Sequence, residues 1–377
     1  MVKNKRLDTI IKWPGGKEKE LPEILPNLTS FMDRYIEPFV GGGAVYFAIE
    51  NPKMIINDKS EELISLYKLL KENNSIFFKR LDDIYEHWQK LEKIVEKNNR
   101  YLKSLYRNYS ADEFSKLQME DHLIEFVIKH IDEFNGFFST SFNINIENFI
   151  KEIKQNLINK ISRMKTIEKD KGKLPDEDLI KNIETAFKSA FYMHFRHLYN
   201  NIKKYSIDNE FATAIFYFIR ENCYSSMFRY NRDGSFNVPY GGISYNRKDF
   251  NKKINYLKSE ELKQHLNKTS IYSMDFEDFL YFIKPEKNDF IFLDPPYDTD
   301  FSTYTKNNFD RNDQKRLATY LIKKCKANFL LVIKNTDFIY SLYTGKSFNI
   351  TSFNKKYLVS FQNRNDKRAE HLLIKNY

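Results

Sequence analysis

Hydrophobic and polar positions along this chain follow two rhythms. Near both ends, short continuous apolar runs stand between turn signals, as in strands buried on both faces of a sheet. Tyr35-Ile36-Glu37-Pro38-Phe39-Val40 leads into Gly41-Gly42-Gly43. Residues 44–50 then read as a helix, and 54–56 as a short buried strand ending at Asn57-Asp58. A strand, a glycine turn, a helix and a second strand with an acid at its tip is the order of a nucleotide-type binding unit. Beyond about residue 265 the alternation returns. Residues 271–274, 290–293 and 329–333 read as buried strands, with helices at 277–283 and 312–324 between them. Residues 348–353 and 371–375 read as late strands of an antiparallel edge.

The middle of the chain keeps the helical rhythm. Residues 53–135 contain neither Gly nor Pro, and Leu123, Ile124, Val127, Ile128 and Ile131 recur at helical spacing. A second Gly/Pro-free stretch, 176–233, predicts helix to about Glu221. Residues 137–175 look less regular, with 169–175 as an exposed loop. Residues 224–250 change character again. Gly234, Pro239, Gly241 and Gly242 punctuate aromatic and polar runs, which predicts hairpins or loops.

The expected fold class is α/β, Rossmann-like, with a sheet built from both chain ends and an inserted, mostly helical domain. The boundaries follow: 1–70 and 265–377 form the discontinuous sheet domain, and 71–264 the insertion, with a hairpin near 224–250.

Composition adds a partner class. Lys and Arg number 61 against 51 Asp and Glu, a formal charge of +10, which suits a polyanion or simply a solvated Lys-rich surface. There are 33 Phe and 25 Tyr, suited to base stacking when mixed with Arg and Asn. AT-rich codons produce the same bias. Two distant cysteines, Cys223 and Cys325, exclude a disulfide framework and give no zinc spacing. His194 and His197 share a helical face without a third ligand, and read as surface or packing residues. Cys223 reads as a buried thiol. The run at 363–368 reads as an exposed turn, with phosphate contact as its alternative. The N-terminus lacks the apolar run of a signal peptide, and no stretch reaches the length of a membrane span. A soluble, cytoplasmic protein is expected.

Three motifs carry chemistry. Asp294-Pro295-Pro296-Tyr297 follows the apolar run 290–293, at the carboxyl end of a predicted strand, where open α/β sheets bind ligands. Asp294 and the Pro295 carbonyl can accept hydrogen bonds from a planar amine, and Tyr297 offers an aromatic face. The bland alternative is a strand-ending turn. Residues 37–43 form a glycine turn that is neither GxGxxG nor a phosphate loop. Asp58 is placed to accept ribose hydroxyls, or only to hold the turn. In Lys12-Trp13-Pro14-Gly15-Gly16-Lys17 the indole can pack on a cofactor ring and Lys17 can neutralise a carboxylate. Otherwise the segment caps the sheet.

Together and in this order, the motifs resemble those of the Dam-like, D12-class N6-adenine DNA methyltransferases. The resemblance covers roughly 8–70 and 220–377. It extends to Arg229-Tyr230-Asn231, Gly234 and Phe236-Asn237-Val238-Pro239-Tyr240-Gly241, which look like that family's DNA-contacting hairpin. Asp275-Phe276 stands where the family flanks the cofactor adenine. The resemblance implies a site-specific, adenine-specific DNA methyltransferase. It would flip an adenine from double-stranded DNA and methylate N6 with S-adenosylmethionine, leaving S-adenosylhomocysteine. Asp294, Pro295, Pro296 and Tyr297 would be catalytic. Lys12, Trp13, Lys17, Glu37, Pro38, Phe39, Gly41, Asp58, Asp275, Phe276 and Asp294 would line the cofactor site. Tyr224, Arg229, Asn231, Asn237, Tyr240, Arg247 and Lys248 would face DNA. No metal is implied. Setting and partner follow too: a prokaryotic or phage cytoplasm, and a companion restriction endonuclease.

The chain departs from Dam at Ser225-Ser226, where Dam has Asn-Gly, and at Gly242, where Dam has Arg. A GATC site is therefore not expected, and the form is closer to adenine methylases with asymmetric sites. The helical insert, about 75–215, has no counterpart of similar length in Dam. Independently, 224–253 holds six Lys or Arg against two acids, interleaved with four Tyr, as a nucleic-acid-facing segment or an ordinary basic loop would. Two rivals stay open: an N4-cytosine, RNA or protein amide methyltransferase, and a DNA-binding protein that keeps this fold without turnover.

Overall fold

The computed structural model describes residues 6–130, 144–297, 309–356 and 368–377. Ile131 and residues 363–367 of the basic run lie outside them.

Seven strands form one sheet: β1 (Tyr35–Glu37), β2 (Met54–Asn57), β3 (Thr269–Tyr272), β4 (Phe290–Leu293), β5 (Asn328–Lys334), β6 (Asn349–Lys356) and β7 (Arg368–Lys375). Their order is β3-β2-β1-β4-β5-β7-β6. The first five are parallel, and β7 runs antiparallel between β5 and β6. The α/β sheet fed by both chain ends is present, with β1 and β2 from the N-terminal segment and the rest from beyond residue 268.

Apolar continuity explains the central strands. Every residue of β1, β2 and β4 is buried, as a strand covered on both faces requires. Ile36, Ile55, Ile291, Leu293, Leu331 and Phe279 share one core. Topology then places the site. From β1 the chain turns one way to β2 and β3, then crosses to β4 on the other side. The connections thus diverge between β1 and β4, which are paired Tyr35 to Phe290 and Ile36 to Ile291. A crevice opens beyond the carboxyl ends of strands at such a switch point. The glycine turn leaves one of these ends and Asp294 the other.

The chain divides into two compact units. One comprises the described parts of Met1–Asn74, Phe228–Tyr230 and Tyr256–Tyr377; the other those of Ser75–Met227 and Asn231–Asn255. The second is helical, built on Ser75–Lys97, Asn99–Ser110, Lys116–Lys129, Ile146–Lys171, Asp176–Asn200 and Asn209–Asn222. Trp88 meets Phe191, Phe218 and Tyr240 edge-on in its core.

Two stretches differ from expectation. Most of 137–175, expected irregular, is the 26-residue helix Ile146–Lys171. Phe149, Ile153, Leu157, Ile161 and Met164 form its buried stripe. Asn145 caps its start and Gly172, at φ +82°, ends it. The stretch 176–233 is helical to Asn222, as expected, in two helices, Asp176–Asn200 and Asn209–Asn222. Residues 201–208 separate them, and Asp208 accepts from the Phe211 N–H at 2.7 Å to begin the second. The expected hairpin at 224–250 is mainly loop. A single antiparallel bridge joins Cys223 to Tyr240 there, and a tight turn runs from Asn231 to Ser235.

Candidate active site

Asp294 leaves the end of β4 half-buried. The two prolines after it stiffen the exit and supply no N–H to compete for acceptors. Lys17 is 2% exposed, and its ammonium stands 2.5 Å from each carboxylate oxygen of Asp294. It also donates to the Gly15 carbonyl at 2.8 Å and to the Tyr297 hydroxyl at 3.0 Å. Three N–H bonds thus serve four acceptors, and the carboxylate keeps lone pairs for a further donor. The carboxylate that Lys17 reaches is that of Asp294, 277 residues along the chain.

Tyr297 closes the cluster. Its oxygen lies 3.1 Å from Nε2 of the buried His371 on β7. Burial first, then the neighbouring charges of Asp294 and Glu20, pushes this phenol well above its usual pKa, so it stays protonated. Lys17 and His371 thus hold the Tyr297 hydroxyl from two sides. The Pro296 carbonyl accepts from the buried Gln314 at 2.8 Å, which fixes the turn from below.

The glycine turn is shaped by what crowds it. A Cβ on Gly41 would stand 2.7 Å from Cδ1 of Trp13, and one on Gly43 would stand 2.6 Å from the Tyr67 hydroxyl. Both glycines have positive φ, +49° and +77°, which side chains rarely tolerate. Asp58 pins this turn: one oxygen accepts from the Gly41 N–H at 3.0 Å, the other from Ser60 at 2.9 Å. Burial raises its pKa, and those N–H bonds oppose the rise. Trp13 is half-buried against Gly41 and meets Phe228 edge-on at 4.6 Å, while Lys12 is exposed.

Glu37 is buried at the tip of β1, its carboxylate taking the Tyr35 hydroxyl at 2.6 Å. Burial lifts its pKa well above the usual range. The Tyr35 bond opposes this, and repulsion from Asp294 and Asp58 adds to it. The buried Pro38 offers its carbonyl to Asn57 at 3.0 Å. Asn57 also bonds the Met274 carbonyl at 3.1 Å and accepts from its N–H at 2.9 Å. This residue, given no role in the sequence beyond ending a strand, ties the loops after β1 and β3 together. Its signal was a buried polar side chain at the last position of β2.

Phe39, Phe276 and Phe309 form an aromatic wall, with centroids 5.4 to 5.6 Å apart. Asp275 caps the helix Phe276–Ile283 and pairs with Arg316 at 2.6 Å. Burial pushes the Asp275 pKa up, but the Arg316 and Glu277 bonds outweigh it and hold it below the ordinary value. Arg316 also reaches Glu277 and Asp313, each at 2.7 Å, and was not foreseen.

The residues expected to face DNA divide. Tyr224, Arg229 and Asn231 are exposed. The half-exposed Asn237 donates to Asn231 at 2.7 Å. Tyr240 belongs to the helical core instead. It is 7% exposed, meets Trp88 and Tyr192, and donates to Asn246 at 3.0 Å. Arg247 is 62% exposed but is paired with Glu92 at 2.6 Å and Glu184 at 3.0 Å. Lys248 bonds the Glu221 carbonyl at 2.5 Å and lies 3.8 Å over the Tyr245 ring. Tyr240 thus serves packing, while Arg247 and Lys248 are tied to these partners.

His194 is a buried packing residue bonded to Asn148 at 3.2 Å, and burial lowers its pKa to about 3. Cys223 is buried. Among the described residues no group of three or more His, Cys, Asp or Glu is arranged to hold a metal ion, and no helix is long and apolar enough to cross a membrane.

The family model for D12 class N6 adenine-specific DNA methyltransferases matches residues 13–176 and 146–359. Type II methyltransferase M.MjaIII of Methanocaldococcus jannaschii is 28% identical over 387 aligned residues, covering 97% of this chain and 98% of its own. Type II methyltransferase M.CviBI of Paramecium bursaria Chlorella virus NC1A is 25% identical, over 98% of this chain and 99% of its own. The DNA adenine methylase of Vibrio cholerae is 26% identical, over 62% of this chain and 84% of its own.

Proposed function

This chain belongs to the D12 class of N6 adenine-specific DNA methyltransferases, and from that premise we propose that it transfers a methyl group from S-adenosylmethionine to N6 of one adenine in a specific double-stranded DNA site. The observation that carries the reading is the Asp294, Lys17 and Tyr297 cluster at the end of β4, beside the glycine turn of β1.

The residues fit such a cofactor. Gly41 to Gly43 let the backbone come close, Phe39 and Phe276 offer an apolar wall, and Asp58 keeps acceptor capacity toward hydroxyls. Burial raises the pKa of Glu37 well above its usual range, which favours its neutral form beside Asp58. When bound, S-adenosylmethionine supplies an electrophilic methyl on a sulfonium.

The protein's own part is positioning and electrostatics. The adenine N6 lone pair is delocalised into the ring, so the amine must be held with its N–H bonds directed at acceptors. Asp294 is one and the Pro295 carbonyl the other. The Lys17 ammonium pairs with both oxygens of Asp294 and leaves the carboxylate lone pairs for a further donor. Tyr297, fixed at its oxygen by Lys17 and His371, presents its ring to a base taken out of the stack. The exposed Arg229 and Asn231 are assigned to DNA contact. The relatives named as type II enzymes favour a place in restriction and modification, with an endonuclease acting on the same site.

Asp294→Ala tests the assignment. Methyl transfer to duplex DNA is expected to fall at least ~100-fold, with binding of the same duplex retained. Activity within a few-fold of wild type removes Asp294 from the chemistry.

A further inference from the structure

Within the helical unit, one face of Asp176–Asn200 holds the main chain of the loop at residues 236–246. Thr185, Lys188, Tyr192, Arg196 and Asn200 follow one another at steps of three or four residues, a single stripe on a helix. Asn200 pairs with Phe236 at both ends, accepting from its N–H at 2.8 Å and donating to its carbonyl at 3.1 Å. Tyr192 and Arg196 both donate to the Val238 carbonyl, at 2.8 and 3.2 Å. Lys188 donates to the Asn246 carbonyl at 2.8 Å, and Thr185 accepts from the Asn246 side chain at 2.9 Å. The loop thus runs antiparallel to the helix, bolted at three levels.

Nearly all these bonds go to main-chain atoms, so the grip is indifferent to what side chains the loop carries. Along this bolted stretch Phe236, Val238 and Tyr240 are buried, whereas Asn231, Arg232, Asp233 and Gly234 at the tip are exposed. The Asn237 to Asn231 bond joins base to tip.

We propose that the helix Asp176–Asn200 is a template that sets the conformation of the loop, and so acts as a positioning element for recognition of the DNA site. This rests on the reading of that loop as DNA-facing. A base-reading side chain works only at a fixed distance from its base edge, so the scaffold behind it decides discrimination as much as the side chain does. Holding the main chain also leaves tip residues free to differ while their placement persists.

The test compares Asn200→Ala, Tyr192→Phe and Asn200→Asp in the full-length protein. Asn200 is exposed, and in Tyr192→Phe the Val238 carbonyl keeps Arg196, so folding is spared. Hydrogen–deuterium exchange is followed over residues 231–246. The KM for DNA, kcat, and the ratio of methylation at the mapped site to sites altered by one base pair are measured alongside. Asn200→Ala is expected to speed exchange at Phe236, raise the KM for DNA and lower the ratio about tenfold, with kcat little changed. Asn200→Asp, which keeps the acceptor for Phe236 but not the donor, should fall between. Unchanged exchange overturns the template. Faster exchange with an unchanged ratio and KM overturns its role in recognition. Arg232→Ala, at the tip, separates the two layers. If it weakens DNA binding while the helix variants do not, the template alone fails. If it too is without effect, the DNA-facing reading of the loop fails.

Discussion

At the scale of single residues, the site is governed by which carboxyl groups carry charge. Glu37, Asp58 and Asp294 stand at neighbouring strand ends, and Lys17 compensates one of them directly. Burial pushes Glu37 well above its usual pKa. Its stability contribution is therefore complete below the ordinary Glu value of ~4.3, and is lost as pH rises from there through the folded value. Glu37→Gln removes that titration while keeping a carbonyl for the Tyr35 hydroxyl. Across melts from about pH 5 to about pH 8, wild type should lose stability relative to Glu37→Gln. A constant difference would mean that Glu37 is ionised in the fold. None of this was visible beforehand. Glu37 stands out in the sequence only through its place before the glycine turn, and its raised pKa follows from a burial that only the packed sheet creates. The destination of Lys17 was equally hidden, because its partner lies 277 residues away and only strand order brings them together. His371 carries no motif at all and arrives through the antiparallel placement of β7.

At the scale of elements, legibility followed apolar continuity. Phe290–Leu293 was readable to the residue because four buried positions stand between polar turns. The helix Ile146–Lys171 is hidden in the sequence because its five-residue apolar stripe, at steps of three or four, is diluted by the polar residues between. Tyr240 was misplaced for a plainer reason: aromatic residues among basic ones look alike whether they stack on bases or on Trp88. The charge cluster at the base of the loop has a consequence for stability. Lys188 is fully buried, 2.6 Å from the buried Glu184 and 3.2 Å from Glu92. Lys188→Met leaves Glu184 buried with only the mostly exposed Arg247 as counter-ion. The expected loss is about 3 kcal/mol in denaturant unfolding, whereas a loss under about 1 kcal/mol would mean that water already screens the pair.

At the scale of the whole molecule, the order of motifs pointed to a sheet assembled from both chain ends, and the switch point between β1 and β4 explains why motifs so distant in sequence belong to one site. The insertion was legible as helical but not in purpose. The type II relatives match across nearly the entire chain, and the Vibrio cholerae enzyme over 62% of it. The Vibrio cholerae enzyme aligns over 84% of its own length, so this chain carries a larger unmatched share than it does. The chemistry proposed at Asp294 is methyl transfer to N6 of adenine in DNA. Mass spectrometry of nucleosides, after reaction of the protein with duplex DNA and isotopically labelled S-adenosylmethionine, tests it most directly. Labelled N6-methyladenine and no other methylated base is expected; labelled N4-methylcytosine, or label confined to protein or RNA, would overturn the proposed reaction.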